Sequence, residues 1–250
     1  MNDPEALWSA FLAYLERAPA AGIPAELFAG FRDELIREGM PADRATEAVW
    51  GIVTMAADRR DWTAPMFDRI YASPEPGFST QPSAFLVEAI EGRIAGSALD
   101  IAMGQGRNAI YLASRGWKVT GFDVSREGLT VAQREAARRD LTLEARVAAH
   151  DEFEYGAAAW DLIVMTYALV PVTHVDFAAI LIDSLRPEGL IVTESFVADP
   201  TRPPRPVEID PDRLRRAYSE LRILKFEDET TTSDWTHEPS RIVRMAAIKD

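Results

Sequence analysis

The chain has 250 residues, 47% hydrophobic and 27% charged, with no cysteine and a formal net charge of −13. That length suffices for one or two domains with a proper core, and the missing cysteine removes disulfides, Cys-ligated zinc, iron–sulfur clusters and thiol nucleophiles. Three lysines stand beside 24 arginines, and the acidic balance argues against nucleic acid or an anionic membrane as partner and for a small molecule.

The opening MNDPEALW lacks a basic segment followed by an apolar run, so no secretory signal is expected. No apolar stretch approaches 18 residues, so no membrane span is expected, and a cytoplasmic location follows. Residues 1–62 read as an all-helical extension. Asp3 caps a first helix with Pro4 at its first position and a face of Leu7, Trp8, Phe11, Leu12 and Leu15. Pro24 opens a second, striped by Leu27, Phe28, Phe31, Leu35 and Ile36 and stopped at Gly39. A third is predicted over 41–60, with Val49, Ile52, Val53 and Ala56 inward. These stripes are expected to be core or the face of a homodimer. Residues 61–82 predict a connecting helix and then a loop.

The second domain, 63–250, alternates helix and strand from Ser83 onward. The pattern predicts helices over 82–96, 106–116, 125–140, 174–189 and 210–221, and strands over 97–103, 118–124, 143–150, 160–167 and 190–197. Two final strands, RILKFEDETTT and RIVRMAAIKD, are joined by a loop and so are antiparallel. The proline-rich run 201–211 is expected to be a lid or a crossing. This is an α/β fold with a mostly parallel sheet covered on both faces.

The informative stretch is ALDIAMGQGRNAIYLASRGWKVTGFDVS (98–125). A buried strand ends in Asp100, a turn carries Gly104 and Gly106, a helix begins at once, and the next strand ends in Asp123. Glycines let backbone approach a ligand closely. A carboxylate ending the second strand can accept both hydrogen bonds of a ribose diol. The run Gly104 to Ala109 also satisfies the dinucleotide fingerprint G-x-G-x-x-[GA], so an NAD(P)-dependent oxidoreductase is the first alternative. Asp100 argues against it, because an anion there suits a cationic ligand better than a pyrophosphate. Arg107, the nearest arginine to the loop, sits one residue inside the helix.

The pattern D-x-x-x-G-x-G…D, followed by His150-Asp151, WDLIVMTY (160–167) and LRPEGLIV (185–192), resembles class I S-adenosylmethionine-dependent methyltransferases. MFDRIYAS (66–73), FSTQPSAFLVEAIEG (78–92) and the closing RIVRMAAIK are similar to the small-molecule branch related to tellurite-resistance and thiopurine methyltransferases. The resemblance implies a Rossmann-like seven-stranded sheet of order 3-2-1-4-5-7-6 with the last strand antiparallel, and S-adenosyl-L-methionine as cofactor. It implies that Asp100 and the Gly104 and Gly106 backbone hold the methionine part, that Asp123 holds the ribose and that Val124 lies against adenine. Asp151 would meet the adenine amino group and the Glu152 backbone its ring nitrogens. Met165, Thr166 and Tyr167 would face the sulfonium. Asn108 and Ser125, at the starts of the flanking helices, complete the expected cofactor set. Two residues depart from the pattern: Ala102 replaces the first glycine of the loop, and Met103 replaces a small residue. They motivate a second alternative, a catalytically inactive cofactor-binding or interaction module.

Tyr167 and His174 flank the loop after the fourth strand, where acceptors dock in open α/β sheets, and are the candidate catalytic residues. Tyr71 and Phe78 are candidate covers over the cofactor, while His150, Trp235 and His237 read as structural. The acceptor end offers no other obvious base, which favours a soft sulfur, selenium, tellurium or arsenic acceptor, or a pre-ionised oxygen or nitrogen. No metal is expected.

Overall fold

The structure, a computed structural model, describes residues 3–56, 59–198 and 207–250. It divides into two compact units, Met1–Phe78 with Ser125–Gly128, and Ser79–Val124 with Leu129–Asp250. The connecting helix that was expected to open the second domain is therefore part of the first unit.

The first unit is built from α1 (Pro4–Arg17), α2 (Pro24–Arg37), α3 (Ala42–Ala56) and α4 (Thr63–Tyr71). Asp3 caps α1 by accepting from the Glu5 N–H at 3.0 Å, with Pro4, which has no N–H to leave unsatisfied, in the first turn. Phe11 packs on Phe28 and Phe31, with ring centroids 5.4 and 5.3 Å away, and Leu15, Leu27, Leu35, Ile52 and Met66 are buried in the same unit. The predicted stripes sit slightly rotated. Tyr14 is buried on α1 where Leu12 is only half-buried, and Ile36 on α2 lies exposed. Gly39, at φ +98°, ends α2 as expected.

The second unit holds α5 (Ala84–Ala89), β1 (Ser97–Ile101), α6 (Arg107–Ser114), β2 (Lys118–Asp123), the body of α7 (Arg126–Arg138), β3 (Leu143–Val147), β4 (Trp160–Thr166) and α8 (Val175–Ser184). It continues with β5 (Leu185–Val197), β6 (Glu208–Ile209), α9 (Pro211–Ala217), β7 (Arg222–Thr232) and β8 (Pro239–Ile248). The sheet order is β3-β2-β1-β4-β5-β8-β7, with the two-residue β6 attached to β5. Apart from β6, this is the expected order. The central pairs are parallel, and β8 runs antiparallel to both β5 and β7.

Both faces of the sheet are buried. Leu99, Ile101, Ile163 and Met165 pack with Phe177 and Leu181 of α8 and Leu214 and Tyr218 of α9. Ala98, Leu162, Val164 and Val192 pack with Leu86 of α5, Leu112 of α6 and Ala132 of α7. Such double burial explains why the central strands read as unbroken apolar runs.

Three bounds differ from expectation. The helix predicted over 82–96 stops at Ala89, because Gly92 turns left-handed at φ +73°. The helix predicted to reach 189 stops at Ser184. Pro187 follows two residues after the extended Leu185 and cannot continue a helix, so β5 begins at Leu185 opposite Trp160. The end of the proline-rich run forms β6, while residues 199–206 lie outside the described residues. No helix among the described residues is long and apolar enough to cross a membrane.

Candidate active site

In the sheet order, β1 lies between β2 and β4, with α6 leaving it toward one face while α8 follows β4 on the other. Open α/β sheets bind ligands at such a reversal, outside the carboxyl ends of the strands. The turn after β1 has three left-handed residues in five, Ala102 at φ +55°, Gly104 at +51° and Gly106 at +79°. It is tied to β2 twice. Met103 N–H donates to Phe122 O at 3.0 Å, and Gly104 N–H donates to Asp123 Oδ2 at 2.8 Å. A side chain at Gly106 would lie 2.7 Å from Ala132 Cβ, so this glycine lets α7 approach. Met103 finds room because β2 carries Gly121 beneath it, where any Cβ would collide with the methionine sulfur.

Asp100 is 2% exposed, and its Oδ2 has no hydrogen-bond partner. Burial pushes its carboxyl up to about 7, against the opposing pull of Arg107 and the Ala109 N–H, and nearby Asp123 adds to the rise. Asn108 is fully committed to local structure. Its Oδ1 accepts from Ser83 N–H at 2.9 Å, and its Nδ2 donates to Thr166 Oγ1 at 2.8 Å.

At the end of β4, the Met165 side chain points into the apolar core, so only its backbone can reach the crevice. Tyr167 follows at φ +53° and is 5% exposed. Its hydroxyl donates to Glu194 Oε1 at 2.7 Å and accepts from Ser233 Oγ at 3.2 Å, and its ring stacks on Trp235 at 4.8 Å. Burial and the adjacent Glu194 carboxylate push this phenol far above its ordinary value, so it stays neutral. His174 is exposed at the start of α8 and makes no capping bond with its side chain.

Glu194 was not among the sequence candidates. It is wholly buried on β5, accepting from Ser83 Oγ at 2.6 Å and from Tyr167, with Arg244 Nε 3.4 Å away across the sheet. Its signal was there to read: one acid, Glu194, inside the apolar strand LIVTESFV, and Arg244 amid the apolar residues of RIVRMAAI. Arg107 belongs to the same region, pairing with Asp234 at 3.1 Å over the Tyr167 ring.

Asp151 and Glu152 lie exposed in the turn after β3. There Glu152 N–H donates to Ala149 O, and its carboxylate accepts from Ala149 N–H, each at 3.1 Å. Val124 is half-buried just past Asp123. Within the first unit, Ser125 Oγ accepts from Gly128 N–H at 3.0 Å and donates to Asp68 at 2.6 Å, and Tyr71 and Phe78 meet edge to face at 6.2 Å.

Residues 98–189 match the sequence family described as methyltransferase domain. That match lies within the second unit, which carries the strand order and the acidic strand ends around a glycine turn. Among curated relatives, the chain is 29% identical to Hemagglutinin 1 of Eikenella corrodens over 71% of its own length and 61% of that protein. It is 28% identical to ribosomal RNA small subunit methyltransferase C of Alcanivorax borkumensis over 50% of its own length and 37% of that protein. The chain therefore spans under two thirds of the length of either relative. Among solved structures, TehB from Haemophilus influenzae superposes with a TM-score of 0.58 at 16% identity, covering 75% of this chain and 67% of that one. A SAM-dependent methyltransferase from Methanosarcina mazei gives 0.54 at 17%, covering 68% and 98%. At these identities the structures speak for the fold. In the second unit, Asp100, the 102–106 turn, Asp123, Thr166 and Tyr167 all lie at the carboxyl ends of β1, β2 and β4.

Proposed function

We propose that the protein transfers the methyl group of S-adenosylmethionine to a small-molecule acceptor. The observation that carries this reading is Asp100, a buried carboxyl with one bare oxygen at the head of a left-handed turn that ends on a second carboxylate, Asp123. The cofactor fits those residues. Its ammonium would give the bare oxygen a donor, and its positive charge favours an ionised Asp100. A pyrophosphate would be repelled by the same pair, which weighs against the dinucleotide alternative.

When bound, the cofactor supplies a methyl group made electrophilic by its sulfonium. The chain's own work is to hold and align. Asp123 would take the ribose hydroxyls, Asp100 the ammonium, and Val124 and the turn after β3, with Asp151 and Glu152, the adenine. Thr166 and Tyr167 would border the acceptor, with His174 the exposed candidate beside them. Alignment of acceptor and methyl carbon can supply roughly 7–11 kcal/mol of barrier lowering. Tyr167 is a neutral donor committed to Glu194 and does not serve as base, which favours an acceptor whose lone pair needs no deprotonation. A net charge of −13 supports a small acceptor over an RNA.

Calorimetric titration with S-adenosylhomocysteine tests the cofactor site. Gly104→Val places a branched side chain at φ +51° and should abolish binding, and Asp123→Ala should cost about 1–3 kcal/mol. Unchanged titrations for both variants would remove the assignment. Methyl transfer from labelled cofactor to thiol, metalloid, hydroxyl, amine and RNA acceptors identifies the substrate class, and labelling of RNA alone would overturn the small-molecule reading.

A further inference from the structure

A cavity of about 520 Å³ lies between α6 and α7, wholly within the second unit. Its size falls in the ~300–1,000 Å³ range of small-molecule sites. Arg107, Tyr111 and Ser114 line it from one face of α6, and Val131, Arg134 and Arg138 line it from one face of α7, each set at helical spacing. Residues 80–82 add a third wall. Asp100, Asp123, Thr166 and Tyr167 take no part in the lining, so this is not the crevice at the strand ends.

The lining carries four arginines, Arg107, Arg134, Arg138 and Arg139, against one acid, Glu135, on a chain of net charge −13. Glu135 is shared, 2.6 Å from Arg139 Nη2 and 3.2 Å from Arg138 Nη1, and Arg134 makes no salt bridge among the described residues. The Arg139 hydrogen bond, with the charges of Arg138 and Arg134 behind it, holds the Glu135 carboxyl below its ordinary value. Arg107 is built in more firmly. Its side chain is 7% exposed, its Nη1 donates to Gln81 O at 3.2 Å and to Asp234 Oδ1 at 3.1 Å, and its Nη2 has no hydrogen-bond partner. A buried donor without an acceptor is unfavourable, and so are like charges gathered in one cavity. A compact group with several negative charges would answer both.

We propose that this cavity binds a diphosphate group, free or carried on a nucleoside, with Arg107, Arg134 and Arg138 as its ligands. The planar fork of arginine takes phosphate oxygens in pairs, and arginines on two neighbouring helices suit a group with two phosphorus centres better than a single carboxylate. The site stands apart from the cofactor reading and holds a second ligand beside whatever occupies the crevice.

Calorimetric titration of the full chain with inorganic pyrophosphate and with ADP, at fixed ionic strength, tests the site. One equivalent should bind. Equal affinities would identify the free group as the ligand, and tighter ADP a nucleotide. Arg134→Gln combined with Arg138→Gln, both exposed positions on α7, should weaken binding about tenfold or more, the scale of one charge-assisted hydrogen bond. The control is Arg222→Gln combined with Arg241→Gln, which removes the same charge from exposed positions on β7 and β8 and should leave affinity within about twofold. Saturating S-adenosylhomocysteine should also leave it within about twofold. Three results would each overturn the proposal: no binding of either probe, equal losses in the two double variants, or displacement by S-adenosylhomocysteine. The second would mean attraction to overall charge alone, and the third would move the probe into the crevice.

Discussion

Ala102 holds φ +55°, a conformation that costs an L-residue with a β-carbon about 1–2 kcal/mol. In the sequence Ala102 is a departure from the first glycine of the loop, and the structure locates the penalty of that departure in the backbone. Ala102→Gly should therefore raise stability by about 1 kcal/mol, read as a higher urea midpoint with unchanged slope. Asp100 gives a second expectation. Its folded carboxyl titrates at about 7, above its unfolded value of about 4. The protonated form is the one the fold tolerates, so this contribution to stability is fully present below pH 4 and is lost as pH rises through 7. Denaturation of the free protein should show that decline, and Asp100→Asn should flatten it. Affinity for S-adenosylhomocysteine should move the other way, strengthening up to about pH 7 and then levelling. Asp100 and Asp123 were legible as a site because acids at strand ends beside glycines have few other uses. The bare Nη2 of Arg107 was not legible, since only the packing of Gln81, Asp234 and Tyr167 around it shows which edge is left over.

Among the elements, β5 carries the least expected feature. Glu194 sits opposite Thr166 on one side and Arg244 on the other, and Arg244 faces Glu227 on β7, so a line of charge crosses three strands, β5, β8 and β7. A buried carboxylate is stable only while its donors stay in place. Tyr167→Phe removes one of them and should lower stability by about 1–3 kcal/mol in chemical denaturation. If the protein transfers methyl groups as proposed, its pH–rate profile should show no limb from a tyrosine base, because that phenol stays protonated. Periodicity located β5 but not this line of charge, which depends on three strands pairing in one register. It also overran two helices, because the glycine after α5 and the proline after α8 break the backbone while the apolar pattern carries on.

At the scale of the whole molecule, alternation of helix and strand was enough to predict a mostly parallel sheet with an antiparallel final pair, since parallel neighbours need crossovers and the last two strands do not, while the strand order came only from the family resemblance. The border between units was harder to read. The expected break at residue 62 follows a change in texture, while α4 stays with the helices before it, anchored by Met66 and Ile70 in their core. A chain this acidic should leave RNA unlabelled at physiological salt even where a small acceptor is methylated, and the acceptor panel reads that directly. The position of β8 has a consequence for assembly of the sheet. It follows both β5 and β7 in the chain yet pairs between them, so a chain lacking it presents two raw edges with nothing between them. Removal of Pro239–Ile248 should therefore yield inclusion bodies rather than a smaller folded protein, read as the insoluble fraction on expression.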